Sequence, residues 1–190
     1  MLLLSTLRGR GRNYGNEAKL REKIMVIAKR MTAMMEEPFC VFLIGMRINR
    51  SWKIHKWLPV LVAMPRMLAE LRHRPELGFL GGHLWFGRTM FLLQYWRSFA
   101  ALTRYARQPD LAHLSAWGRF RHHVGNSGDV GIWHETYLIS EGRYETIYHN
   151  MPPFGLGRVG QLVDATGGRE SAGMRMRSRS ASGAPAEIDE

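Results

Sequence analysis

The chain has 190 residues, 45% of them apolar and 23% charged; this leaves room for one ordinary domain of about 100–150 residues plus tails and excludes a wholly disordered or fibrous molecule. Its formal charge of +11 is uneven: residues 1–35 carry +6, residues 36–165 carry +5, and residues 166–190 are balanced. Nucleic-acid binding calls for a clustered basic stripe with motif or aromatic support; none stands out, and no nucleic-acid partner is expected.

Residues 1–16, rich in Gly, Arg, Asn and Ser, read as a disordered basic arm. Met1 to Leu4 is too short for a signal-peptide core and lacks a cleavage site, so export is not expected. From Glu17 to Met35, the residues Leu20, Ile24, Ile27, Met31 and Met34 recur at helical spacing, which predicts a basic amphipathic helix over 17–35. It is read as a helix packed on the domain, or as sequence upstream of the true start, in preference to a membrane-surface or targeting helix. Attachment to nucleic acid or an anionic membrane through residues 8–30 is the third-ranked reading of the chain.

Phe39 to Ile48, FCVFLIGMRI, is apolar at almost every position and predicts a strand buried on both faces. Ser51 is a candidate N-cap for a helix whose apolar face includes Trp57, Leu61, Met64, Leu68 and Leu71. Pro59 and Pro65 should kink or split it; Pro75 and the glycines at 78, 81 and 82 end it. A short strand near Phe79 and Leu80 and a longer one over Phe86–Trp96 follow. Ser98 then caps two helical stretches, about 99–107 and 111–123. After an NSGD turn at 126–129, Val130–Ile139 is a strand, and a turn at 141–143 pairs it with Tyr144–Asn150 as a hairpin. The domain spans 36–165, and 166–190 reads as a disordered tail.

This order predicts an α+β domain of the ferredoxin-like, split βαβ kind: an antiparallel sheet with helices on one face. Since the first strand is apolar on both faces, the second face needs cover, and the economical cover is the same sheet of a second copy. The expected assembly is a homodimeric α/β barrel. No stretch reaches the ~20 apolar residues of a membrane-spanning helix. Cys40 is the sole cysteine and sits in an apolar run, so an inert buried thiol and a cytoplasmic location are expected.

The segment QYWRSFAALTRYARQPDLAHLSAW, 94–117, resembles the strand-to-helix signature of the antibiotic-biosynthesis monooxygenase superfamily. More narrowly, VFLIGMRIN at 41–49, HKWLP at 55–59, MPRML at 64–68, GIWHETY at 131–137, YETIY at 144–148 and NMPPFGLG at 150–157 resemble the monooxygenase-like family that includes a fungal fumagillin-pathway oxygenase. The resemblance covers about 30–165. It implies an oxygen-dependent oxidoreductase acting on a small hydrophobic substrate, as in secondary metabolism. The alternative is a non-catalytic ligand-binding or dimeric interaction module on the same fold.

Polar side chains on otherwise apolar strands are the site candidates: Arg47 and Asn49 on one face at the end of the first strand, Gln94 two positions before Trp96, and His134 alternating with Thr136. Each also has a structural reading as a strand-end cap or dimer contact. Relatives in the superfamily divide between haem-binding and cofactor-free enzymes, and His113 is where the resemblance would place an iron ligand. The cofactor-free form is favoured, with haem as the alternative. The spacing shows no metal-site motif and no phosphate-cradling glycine loop; FGLG at 154–157 precedes no clear helix. A tightly bound flavin or nicotinamide is therefore disfavoured. Cofactor-free oxygenation needs a phenol or enol whose anion reduces O₂ directly, with Arg47, Gln94 or His134 to stabilise it.

Overall fold

The computed structural model describes residues 25–108, 118, 120, 122 and 124–180. In chain order its regular elements are β1 (Ile27–Met34), β2 (Phe39–Ile48), α1 (Ile54–His73), β3 (Phe79–Trp85), β4 (Thr89–Trp96), α2 (Phe99–Arg107), β5 (Val130–Ile139), β6 (Tyr148–Met151), β7 (Gln161–Asp164) and α3 (Ala172–Ser180). The main sheet has the order β3-β4-β2-β5, with every neighbouring pair antiparallel. Strand β4 lies between β2 and β3, and β2 between β4 and β5. Each strand–helix–strand passage is therefore split by an intervening strand, which is the ferredoxin-like topology.

The apolar run of β2 is a strand with partners on both sides, as its composition demands. Its even-numbered face, with Cys40, Phe42 and Ile44, meets the helices: Leu68 and Leu71 of α1 and Ala101, Leu102 and Tyr105 of α2 pack there with Leu92 and Trp96. Burial pushes the Cys40 thiol pKa up, in keeping with an inert side chain. Ser98 caps α2 as expected, its Oγ accepting from the Ala101 N–H at 3.1 Å.

Three local expectations for the helix and strands around α1 are corrected. Ser51 does not cap α1; the cap position is Lys53 and no side chain fills it, while the Ser51 carbonyl accepts from Trp57 Nε1 at 3.0 Å. Of the two outcomes expected of Pro59 and Pro65, the split does not occur: the helix runs on for 20 residues. Both prolines are exposed, so water can reach the carbonyls they leave without a helical partner. The strand expected over 86–96 begins only at Thr89, because residues 86–88 form the turn from β3.

The predicted amphipathic helix over 17–35 is overturned within the described residues: Ile27–Met34 is a strand, while 1–24 lie outside them. It pairs with β6 on one side and β7 on the other, and Thr32 and Ala33 are fully buried between them. Non-local pairing overrides a helical repeat that nothing nearby contradicted. The predicted hairpin at 141–143 is likewise absent. Past β5 the chain leaves the main sheet, and Tyr148–Met151 joins β1 instead. Thr146 fixes the approach, its Oγ1 accepting from the Ala33 N–H at 2.8 Å.

This second sheet, order β6-β1-β7, changes the expectation about the second face. The chain itself covers the half of that face around Phe39, Val41 and Tyr95, packing Ala33, Leu156 and Leu162 onto it. The other half carries an aromatic row: Trp85 stacks on Phe91 at 4.7 Å between ring centroids, and Phe91 lies 6.4 Å from Trp133. All three are half-buried.

The tail is also more structured than composition suggested, since 172–180 form a helix. Its anchor is Arg175, 4% exposed, which pairs with Glu145 and donates to the carbonyls of Arg169 and Glu170. A buried guanidinium with acceptors for its donors can dock a segment that lacks an apolar face. Residues 181–190 lie outside the described chain.

His83 ties the two layers together. Its Nε2 accepts from the Gly155 N–H at 3.0 Å, and its ring lies on Phe154 at 4.3 Å. Burial first, then the charges of Arg158 and Arg72, hold its pKa below the ordinary 6.5. The unfolded chain takes up this proton at about 6.5 and the folded chain only at lower pH. The contribution of His83 to stability is therefore complete above pH 6.5 and is lost as pH falls toward the folded value. The thermal midpoint is expected to decline on acidification through this window, and His83→Gln to show a flatter decline.

Candidate active site

Between the even-numbered face of the main sheet and the two helices lies a cavity of about 320 Å³, at the small end of the range for ligand pockets. Apolar side chains make most of its wall: Phe42 and Ile44 from β2, Leu92 from β4, Leu68 and Leu71 from α1, and Leu102 from α2. Strand register arranges the floor in rows. Gln94 and Thr136 flank Phe42 on either side, and Leu92 and His134 flank Ile44.

Two of the four predicted catalytic residues, Gln94 and His134, are thus brought to one cavity, with Thr136 beside them. Gln94 is 5% exposed, and its Oε1 accepts from Trp96 Nε1 at 2.8 Å. His134 is exposed at the edge strand, its ring 5.8 Å from that of Phe42. Arg47 and Asn49 are not brought there. Arg47 is odd-numbered on β2 and projects from the opposite face, exposed, with Nη1 donating to Thr89 Oγ1 at 3.0 Å. Asn49 lies just beyond the strand, where its Nδ2 donates to the Gly128 carbonyl at 3.1 Å. Both hydrogen bonds fit the strand-end reading of these residues.

Asp129 fastens the end of β2 to the start of β5. Its carboxylate is buried beneath Lys53 and Arg50, each at 2.9 Å. The Lys53 hydrogen bond, with smaller contributions from Ser127 and Arg50, holds its carboxyl below the usual range against the opposing effect of burial. The clamp sets the edge strand that carries His134.

The sequence reading missed the contribution of α2. Thr103, Tyr105 and Arg107 also line the cavity, and burial, followed by the charge of Glu70, pushes the Tyr105 phenol up to about 12. It therefore stays protonated at neutral pH and can act as a neutral hydrogen-bonding group. The available signal was the spacing of Phe99, Thr103 and Arg107, which share a flank of the helix beside its buried face.

A haem would need an axial ligand and cationic partners for its propionates. Arg107 is a single guanidinium on the described lining, and His113, the expected iron ligand, lies outside the described residues. Among the described residues, no three metal-ligating side chains cluster.

The cavity walls coincide with a recognisable family segment: the model of the monooxygenase af470-like family matches residues 39–156. The chain belongs to this family. The monooxygenase af470-like segment takes in β2 to β6 with both cavity helices, and leaves out β1, β7 and α3. Over 94 residues the chain is 32% identical to monooxygenase af470 of Aspergillus fumigatus, an alignment that covers 46% of this chain and 33% of that one. The chain thus spans about a third of the length of that curated relative.

Among solved structures, this member of the af470-like family is similar to the aldoxime dehydratase OxdRE in complex with butyraldoxime, with a TM-score of 0.59 at 16% identity over 71% of this chain and 41% of that one. A second aldoxime dehydratase gives 0.58 at 18% identity over 74% of this chain and 43% of the other. At such identities the likeness shows the fold alone.

Proposed function

We propose that this chain is a monooxygenase-type oxidoreductase whose substrate, a small hydrophobic phenol or enol of secondary metabolism, binds in the cavity between sheet and helices. The observation that carries the reading is an apolar cavity within the family-matched segment that presents both Gln94 and His134. His134 is the proton acceptor: an imidazole at the cavity wall can take the substrate O–H proton. The resulting anion is electron-rich enough to reduce O₂ without a cofactor. For a naphthol, the balanced reaction is naphthol plus O₂ to naphthoquinone plus water; one oxygen atom enters the product, the other leaves as water, and the substrate supplies all four electrons. The buried thiol of Cys40 fits a reducing, cytoplasmic setting.

The test is O₂ uptake by the purified chain with 1-naphthol, recorded with its visible spectrum. Uptake by a colourless protein, with water and quinone formed in equal amounts, is the expected result. Binding without uptake would favour the non-catalytic module, and a Soret band that tracks with activity would overturn the cofactor-free form.

The aromatic row Trp85, Phe91 and Trp133 is half-buried and lies beyond the strands of the second sheet, with Phe154 against Trp85 at 5.9 Å at one end; it is the surface proposed for a second copy. Light scattering is expected to report a dimer, and Trp133→Glu to shift it to monomer by placing a charge within the apolar contact. A wild-type monomer at high micromolar concentration would refute this assembly.

A further inference from the structure

The side-chain amide of Gln94 has two ends, and its neighbour decides which one faces the cavity. The indole N–H of Trp96 is a donor with no acceptor capacity. At 2.8 Å from Gln94, it requires the amide oxygen on its own side and turns the NH₂ away. Trp96 is fully buried, packed edge-to-face with Phe79 at 5.5 Å and at a tilt against Tyr105 at 5.4 Å, so its indole is not free to swing aside. Among the described residues no group accepts a hydrogen bond from that NH₂, and Gln94 lines the cavity.

We infer that Trp96 is a positioning residue that fixes Gln94 as a donor, so that the cavity selects apolar ligands bearing an acceptor oxygen, a carbonyl or an oxyanion, at the Gln94 end. The inference deepens the proposed site and depends on that reading. The positions of the two polar groups extend it. Gln94 and His134 lie two strands apart in adjacent like-facing rows, roughly 12 Å between Cα atoms by ordinary sheet spacing. Their side chains address opposite edges of one small ring system. The ligand class is accordingly a ring compound with an acceptor oxygen on one edge and an ionisable hydroxyl on the other. An amide donor held in place before the ligand arrives also favours the anion that forms when the hydroxyl is deprotonated.

The test compares two ligands of nearly equal shape, 1-tetralone and tetralin, by quenching of tryptophan fluorescence. The wild type is expected to bind the ketone about tenfold more tightly, the size of one hydrogen bond that would otherwise go unmade. Gln94→Leu is expected to abolish the difference while retaining tetralin. Trp96→Phe, which keeps a ring but removes the N–H, frees the amide to rotate and is expected to bring the ratio within about threefold. Loosened packing alone would weaken both ligands together and leave the ratio intact, a result that would overturn the positioning role of Trp96. Equal binding of the two by the wild type, or a ratio unchanged in Gln94→Leu, would overturn the inference alone. Failure of both ligands to bind would overturn it together with the cavity reading.

Discussion

His134→Ala is expected to lower kcat for phenolic or enolic substrates by about 10²–10⁴-fold, the usual contribution of a positioned general base. The side chain is exposed on an edge strand, so the fold should survive its loss, with an unchanged thermal midpoint as the control. His134→Gln keeps polarity and size but cannot accept the proton, and should be as inactive as alanine at neutral pH. Raising the pH until the free substrate ionises by itself should narrow the gap between wild type and variant. A residue that merely packs against Phe42 would show no such pH-dependent recovery.

The second large effect concerns stability. Gly45 sits in the middle of β2, paired with Phe91 and Trp133 across the two neighbouring strands. A Cβ there would run into Trp133 Nε1 and lie 2.8 Å from the Met90 carbonyl oxygen. The indole lies across the missing side chain, and the carbonyl belongs to the adjacent strand. Accommodation therefore requires either the ring or the ladder to move. Gly45→Ala is expected to destabilise the protein by about 1–3 kcal/mol, typical of overpacking, read as a fall in thermal midpoint of roughly 2–4 °C per kcal/mol for a chain of this size. Because the displaced ring belongs to the proposed contact with a second copy, the same variant should also weaken the dimer. A variant as stable and as dimeric as the wild type would show that Trp133 does not occupy this space.

Local chemistry carried the sequence reading as far as neighbours along the chain define structure. The double-faced apolar run of β2, the Ser98 cap and the alternation through Gln94-Trp96 and His134-Thr136 each depend on residues close to one another, and each placed its element or side chain correctly. Strand β1 is not legible locally because its partners, β6 and β7, arrive more than a hundred residues later. The segment after β5 hides its pairing for the same reason: the turn signal is real, but the strand that follows belongs to another sheet. Arg47 was grouped with Gln94 and His134 because sequence alternation gives faces within a strand and not the register between strands. Once Phe42 is set opposite both Gln94 and Thr136, odd-numbered Arg47 must point the other way. Docking of α3 through Arg175 left no periodic trace, since one buried guanidinium supplies the contact.

The expectation that a second copy must cover the whole rear face also needs revision in physical terms. Apolarity on both faces of β2 showed that two layers of cover exist, and not which chain supplies the second. Among the described residues the chain supplies half of it through Ala33, Leu156 and their neighbours, and the aromatic row is the part proposed for a partner. The cavity proposed to bind substrate lies on the helix side and is walled by this chain's own residues, so its ligand specificity can be tested apart from the assembly.

The central claim, that ligand enters between the sheet and the helices, is tested most directly by methyl carbon–proton correlation spectra during titration with 1-naphthol. The methyls of Ile44, Leu92, Leu102 and Ile132 are predicted to shift in step with saturation, while those of Val41, Leu43 and Leu93 on the opposite face stay in place. Shifts confined to Val41, Leu43 and Leu93 would contradict the account and move the binding site to the rear of the sheet.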